Sequence, residues 1–400
     1  MTSILIHVFL LAGIQGFLLV ILLFTRGANK AANVVLGILV GTLSLDLLQA
    51  AYTLSHMYEE YPHLMGITYN FPFLYGPFFY LYARLLTSEQ RRLERKNLLH
   101  FLPFLLLVAY TCPVYFMSGA EKIQFIHLMN TSRPLQYAII DHLKPVHGFI
   151  YTVLASRVVA RHNRRIRDAF SNIDRINLLW LQSLTAAVAI IWSIVVGSVI
   201  AGSFFNLHFS GFDYAIYFSV SILIYAIGYI GLLQPAVLRQ EAGEQLRPGG
   251  NADRDPLEEG VPRYTKSGLA GGTSDEIQRS LTRMMEQERP YLDGDLTLGK
   301  LAGMLSVSPH NLSEVINTRM NMNFYDFVNA YRVNEVKRRL QDPDAEKFSL
   351  LSIAFDSGFK SKTSFNAIFK KQTQMTPSQY RNHPPPPAPT PRTLQRGETG

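Results

Sequence analysis

The chain is short of cysteine and short of charge, and both shortages narrow what it can be. Its 400 residues contain one cysteine, Cys112. A lone thiol excludes an internal disulfide and any cysteine-cluster metal site. Cys112 therefore reads as a small apolar residue inside a helix. Charged residues make up 17% of the chain, against about 25% in a typical soluble protein, and the shortfall lies almost wholly before Leu233. Chemical signatures are missing too: no His-x-x-x-His spacing, no glycine-rich phosphate loop and no nucleophile set beside a base. No enzyme, no metal site and no cofactor is expected. His100, His127 and His147, in or near apolar runs, read as structural or interfacial. What is present in excess is positive charge. A formal net charge of +8 points to an anionic partner, either lipid headgroups or nucleic acid.

Apolar runs long enough to cross roughly 30 Å of hydrocarbon occur seven times, at 4–24, 32–54, 69–86, 98–116, 136–159, 178–201 and 212–233. The third is short, and the fifth carries Asp141, His142 and Lys144 near its start. No basic residue precedes Ile4 and no small-residue cleavage site follows the first run, so it reads as a spanning helix rather than a removable signal. Loop charges give direction. Arg26 and Lys30 follow the first run, Arg84, Arg91, Arg92, Arg95 and Lys96 the third, and Arg157, Arg161, Arg164, Arg165, Arg167 and Arg175 the fifth. The alternate loops hold little beyond Lys122 and Arg133, with Glu59, Glu60 and Glu121 nearby. By the positive-inside rule the N-terminus is expected outside a bacterial inner membrane. Everything after Arg239 then lies in the cytoplasm.

Polar residues within these runs are candidate ligand contacts. Asp46 falls in mid-run, where an ionised carboxylate costs on the order of a few kcal/mol unless it faces a partner or a wet cavity. It reads equally as a signal contact or as a hydrogen bond between helices. Asp141 and Lys144 sit near the outer surface, where snorkelling also accounts for them. The aromatic residues between positions 69 and 82, with Pro72 and Pro77, suit an interfacial belt on a proline-bent helix or the wall of a pocket.

After the last run the composition changes. Residues 241–273 mix glycine, proline and alternating charges and are expected to form a flexible tether. Such a tether favours control by proximity of two chains over rigid transmission. The tail 383–400, with Pro384 to Pro387 in a row, is expected to stay in solvent. Between them, 274–289 reads as an amphipathic helix capped by Ser274, with Ile277, Leu281, Met284 and Met285 on one stripe. That stripe packs on the following module or serves a relay or dimer contact.

The segment 298–381 contains two helix-turn-helix patterns in tandem. In the first, Leu301-Ala302-Gly303 lies on a short helix, Ser306-Val307 turn, and Ser308-Pro309 cap a second helix with Leu312, Val315 and Ile316 inward. His310, Asn311, Ser313, Glu314 and Asn317 are left outward. In the second, Ile353-Ala354-Phe355 repeats the first helix, Gly358-Phe359 the turn, and Ser361 the cap, with one extra turn residue. Phe365 and Phe369 then face inward, and Lys362, Thr363, Ser364, Asn366 and Lys370 face outward. That outer face is basic and rich in hydrogen-bonding groups, as insertion into a major groove requires. Residues 324–340 form an expected connector helix about 25 Å long, long enough to hold two reading heads one DNA turn apart. Lys337, Arg338 and Arg339 at its end suit phosphate contact.

The string Ile353-Ala354-Phe355-x-x-Gly358-Phe359-x-Ser361-x-x-x-Phe365-x-x-x-Phe369-Lys370-Lys371, followed by Thr376-Pro377 and Tyr380-Arg381, resembles the AraC family of bacterial transcription regulators. The resemblance covers about a fifth of the chain. It implies a DNA-binding domain at 274–382 and says little about a ligand, because usual members carry a soluble sensing domain. Two departures stand out. Asn321-Met322-Asn323 replaces a turn that often holds glycine, and asparagine tolerates left-handed backbone there. Glu314 stands where a basic residue is frequent. The expected fold is all-α: a seven-helix membrane bundle over 1–240, then the tether, the DNA-binding domain and the tail. The expected function is a membrane-embedded one-component transcriptional regulator. Its partners would be duplex DNA, membrane lipid, an unspecified signal ligand or membrane protein, and a second copy of the chain. A transporter or enzyme with a regulatory DNA-binding module, or a module freed by proteolysis of the tether, are the alternatives.

Overall fold

Long apolar runs satisfy their own backbone hydrogen bonds most simply as helices, and the regular structure among the described residues is helical. The computed structural model describes residues 2–27, 29–88, 92–174, 176–205, 210–233 and 271–382. Among the described residues there is no β-strand, only one isolated bridge between Phe170 and Thr297. Nearly all of the expected tether, the whole tail, and Arg91, Arg175 and Arg239 lie outside the described residues. The chain divides into two compact units. The first comprises 1–163 with 178–247, and the second comprises 164–177 with 248–400.

The first unit contains α1 (Thr2–Thr25), α2 (Lys30–Leu54), α3 (Pro72–Thr87), α4 (Leu102–Tyr115), α5 (Gly119–Thr131), most of α6 (Leu135–Ala169), α7 (Leu179–Phe205) and α8 (Ser210–Leu233). By length and composition, four helical stretches among the described residues are apolar enough to cross a membrane: Thr2–Thr25, Lys30–Leu54, Arg95–Tyr115 and Leu179–Gly202. Tyr214–Tyr229 is a shorter apolar helix. The count expected from the sequence was seven, and the difference has physical causes. Helix α3 is 16 residues long, and α6, at 35 residues, carries charge along its length. Helix α5 occupies a stretch that composition alone leaves as a loop. Its start is fixed by a capping box, in which Ser118 Oγ accepts from Glu121 N while the Glu121 carboxylate accepts from Ser118 N at 2.8 Å. Phe9, Leu47, Tyr82 and Ile224 are among the most deeply buried side chains of this unit.

The second unit contains α9 (Gly271–Gln287), α10 (Leu298–Met304), α11 (Pro309–Arg319), α12 (Phe324–Leu340), α13 (Leu350–Asp356), α14 (Lys362–Thr373) and α15 (Pro377–Asn382). Two hydrophobic cores sit side by side along α12. One joins Leu301, Ala302, Leu312 and Ile316 to Phe324, Phe327 and Val328, and takes in Ile277, Leu281 and Met285 of α9. The apolar stripe of α9 is thus spent on packing within the module. The other core joins Val333 and Val336 to Ile353, Ala354, Phe359, Phe365, Phe369 and Tyr380.

The candidate nucleic-acid interface

Both two-helix units are built by the same local devices, the turns repeating 52 positions apart and the serine caps 53. The first helix of each ends on a left-handed residue, Ser306 at φ 55° and Gly358 at φ 92°. Around it two orphan carbonyls are satisfied in the same pattern. Ser306 N donates to Gly303 O at 3.1 Å and Val307 N to Ala302 O at 3.0 Å; Gly358 N donates to Phe355 O at 3.0 Å and Phe359 N to Ala354 O at 3.1 Å. Ala302 and Ala354 are fully buried, which lets the helices of each unit cross closely. The second helix of each begins on a serine cap, Ser308 accepting from Asn311 N and Ser361 from Ser364 N, both at 3.1 Å. The connector α12 starts at Asn323, whose side chain accepts from Asp326 N at 2.8 Å, and Asn321 before it adopts φ 53°. The asparagine that replaces glycine does take the left-handed conformation.

These devices leave the expected reading residues in different environments. On α14, Lys362, Thr363, Asn366 and Lys370 are exposed. Among the described residues Lys362 and Lys370 form no ion pair, whereas Lys371 beside them pairs with Asp326 at 3.1 Å. Ser364 is half-buried and its hydroxyl is donated to the Asp174 carboxylate. On α11, His310 is exposed, while Asn311, Ser313, Glu314 and Asn317 are half-buried. Asn317 Nδ2 donates to Ser313 Oγ at 3.2 Å.

The basic end of α12 is partly committed to the protein itself. Arg338 Nε and Nη2 reach Glu335 at 3.0 and 2.8 Å, and Arg339 Nε reaches the same carboxylate at 2.8 Å. The Arg338 hydrogen bonds, reinforced by Arg339, hold the buried Glu335 carboxyl down at about 2, against the opposing effect of burial. Lys337 is half-buried and has no ion pair among the described residues.

One part of the second unit comes from far away in sequence. Residues 164–177, the end of α6 and the stretch after it, pack onto the module. Ile166, Phe170 and Ile173 form a small buried cluster against Tyr325 of α12, with the Arg167 guanidinium 5.8 Å from that ring. Phe170 bridges Thr297, and Ser171 donates to Leu296 O from N at 3.3 Å and from Oγ at 2.7 Å. Arg332 is 1% exposed. It donates to Tyr291 O at 2.8 Å, Asp293 O at 2.8 Å, Ser171 O at 3.1 Å and Ser171 Oγ at 2.9 Å. Burial lowers its guanidinium to about 10, so it stays charged at neutral pH. Gly358 completes this nest. A Cβ there would fall 2.3 Å from Tyr291 O and 2.9 Å from Arg332 Nε, which together with its positive φ admits only glycine.

In the first unit, the three polar residues singled out from the sequence line one cavity of about 300 Å³. Asp46, Asp141 and Lys144 share it with Tyr75, Thr152 and Trp192, and most of the remaining wall is apolar. Asp141 accepts from Lys144 Nζ at 2.8 Å, Arg133 Nη1 at 2.8 Å and Tyr69 OH at 3.0 Å. The Lys144 ammonium also lies 3.4 Å from the centre of the Tyr69 ring. Tyr75 OH is buried beside the Asp46 carboxyl. No group of three or more His, Cys, Asp or Glu side chains among the described residues is placed to hold a metal ion.

Residues 301–383 match the family described as Helix-turn-helix domain. The C-terminal module is a helix-turn-helix domain of AraC type. Over 91 residues it is 33% identical to an uncharacterized HTH-type transcriptional regulator of Staphylococcus aureus (strain COL), covering 23% of this chain and 12% of that protein. Over 89 residues it is 30% identical to the melibiose operon regulatory protein of Escherichia coli (strain K12), covering 22% of this chain and 28% of that protein. The chain thus spans about an eighth of the length of the staphylococcal relative and just over a quarter of the other. No solved structure matches the chain. Both relatives bear the names of regulators, not of enzymes.

Proposed function

We propose that this chain is a membrane-embedded transcriptional regulator that reads specific duplex DNA with its two helix-turn-helix heads under the control of a signal received in its N-terminal half. The observation that carries the DNA-binding part is the exposed basic face of α14, on which Lys362 and Lys370 have no ion pair among the described residues, set on the second helix of a twice-repeated helix-turn-helix. Four helical stretches apolar enough to span and the one-sided distribution of Arg and Lys support a multi-span bundle. We read it as seven spans, with the N-terminus outside and the module in the cytoplasm. The signal site is the cavity around Asp46, Asp141 and Lys144. Its apolar wall and few convergent polar groups suit a small amphipathic molecule. A second copy of the chain is the natural partner on adjacent DNA sites.

The test is selection of duplexes from a random pool by the full chain in detergent, followed by alanine substitution. Lys362→Ala and Thr363→Ala are expected to relax preference at their base positions by about 1–3 kcal/mol each. Lys337→Ala should weaken binding to all sequences alike and flatten its salt dependence. Unchanged site preference after Lys362, Thr363 and Ser364 all become alanine would show that α14 does not read DNA. For the signal site, Asp46→Asn and Lys144→Met should abolish the response of a reporter gene while leaving DNA binding intact.

A further inference from the structure

The segment 164–177 touches the parts of the module that DNA reading depends on. It pairs with Leu296 and Thr297 at the start of the first head, grips Arg332 and Asn329 of the connector through Ser171, and reaches the second head through Asp174. At that last point Ser361 Oγ donates to Asp174 Oδ2 at 2.6 Å, and Ser364 Oγ donates to Asp174 Oδ1. Ser361 is the N-cap of α14 and Ser364 lies in its first turn. The N-terminal end of a recognition helix is the end that enters the major groove. Its free amides and positive dipole end favour an anion, so a carboxylate docked there occupies the end that would enter the groove.

We propose that residues 164–177 are an internal competitor of DNA, with the Asp174 carboxylate occupying the first turn of α14 that the duplex takes in the bound state. This rests on the DNA-binding reading above and adds its regulation. The geometry gives the competition two components. Asp174 uses up the hydroxyls of Ser361 and Ser364, so those groups are unavailable to the duplex while the segment is docked. It also sets a negative charge at the mouth of the groove-facing helix, where it repels phosphate. The apolar cluster of Ile166, Phe170 and Ile173 on Tyr325 holds the carboxylate in place. Undocking therefore requires withdrawing that plug together with Asp174.

The segment is the covalent continuation of α6 and leads directly into α7. Lys144 and Asp141, which line the cavity, lie on the same helix α6. A change at the cavity thus has a continuous peptide route to Asp174 that does not run through residues 241–273. Docked, the segment silences the second head; withdrawn, it frees both serines.

The experiment compares the full chain in lipid nanodiscs with its Asp174→Ala, Asp174→Asn and Ile173→Ser variants. Fluorescence anisotropy is read against a random-sequence duplex at low salt and against the duplex selected by the Asp174→Ala chain. Loss of a charge-assisted contact that competes with DNA should tighten binding about tenfold in the two Asp174 variants, and loosening the plug in Ile173→Ser should tighten it in the same direction. A merely structural role predicts the opposite sign, because a loosened module binds more weakly. Ile173→Ser loosens the plug without touching α14, so it supports the proposal even if changes at position 174 perturb the helix cap. Equal or weaker binding by all three variants, with the wild-type chain binding well, overturns the competitor and leaves the DNA-binding reading intact. Absence of binding to any duplex by every chain overturns both.

Discussion

Replacing Arg332 by alanine is the sharpest test of how the second unit is held together. The side chain is 1% exposed and bonds three carbonyls and one hydroxyl drawn from two distant stretches of chain. Removal does not orphan every partner, since Ser171 O still accepts from Asn329 Nδ2 at 3.2 Å and Asp293 O from Leu296 N at 3.1 Å. What is lost is a set of charge-assisted bonds, full satisfaction of Tyr291 O, and the volume of a buried guanidinium. Bonds from a charged donor are worth about 1.5–3 kcal/mol each, and removing the guanidinium also removes its own cost of burial, so the net loss is about 3–5 kcal/mol. A chain with two units does not unfold in one step, so the assay must be local: hydrogen exchange followed by mass spectrometry on the full chain. Peptides covering 164–177 and 290–297 should lose roughly two to four orders of magnitude of protection, while those from α1 and α2 stay unchanged. Arg332→Lys should retain part of that protection, because an ammonium cannot reproduce the forked guanidinium geometry. A loss below about fivefold in both peptides would refute the reasoning, since the guanidinium would then not be what joins them.

Three further outcomes are expected. Gly358→Ala should destabilise the module by about 1–3 kcal/mol or more, through its positive φ and the clash with Tyr291 O, seen as exchange of the 353–369 peptides and as weakened DNA binding. Glu335 should make the module acid-sensitive. Its carboxyl is held near 2 in the folded state against about 4.3 when unfolded, so its stabilisation is complete above about 4.3 and disappears as pH falls through 2. Glu335→Gln should flatten denaturation midpoints across that window. Reporter fusions after Arg167 and Gln240 should both report cytoplasm and one after Lys122 the exterior; an exterior signal at Gln240 would sink the topology.

Much of the module is legible from local pattern because its elements are specified locally. The caps Ser308 and Ser361, the inward Leu312, Ile316, Phe365 and Phe369, and the bounds of the connector follow from capping chemistry and helical spacing. The sequence also gives Asp46, Asp141 and Lys144 as polar intrusions, and one cavity gathers all three. Other features leave a weaker trace. The Ser118-x-x-Glu121 box is a readable start signal, yet the acidic loop around it reads first as topology. Glu335 with Arg338 and Arg339 has ion-pair spacing, but three consecutive basic residues read first as phosphate contacts. The docking of 164–177 has no local signature. Ser171 and Asp174 read as polar loop and Arg332 as one solvated position on a helix, and their contacts cross up to 190 residues.

That separation also sets a timetable. Asp174 leaves the ribosome 187 residues before Ser361, so at about 5–20 residues per second it waits roughly 10–40 s for its partner. For most of that interval Phe170 and Ile173 are nascent apolar side chains without Tyr325 to cover them, and the nest around Arg332 is incomplete until Gly358 is made. Synthesis rate is therefore a variable in how this protein assembles: a pause after residue 177 lengthens the exposure, and a pause after residue 364 comes too late to matter.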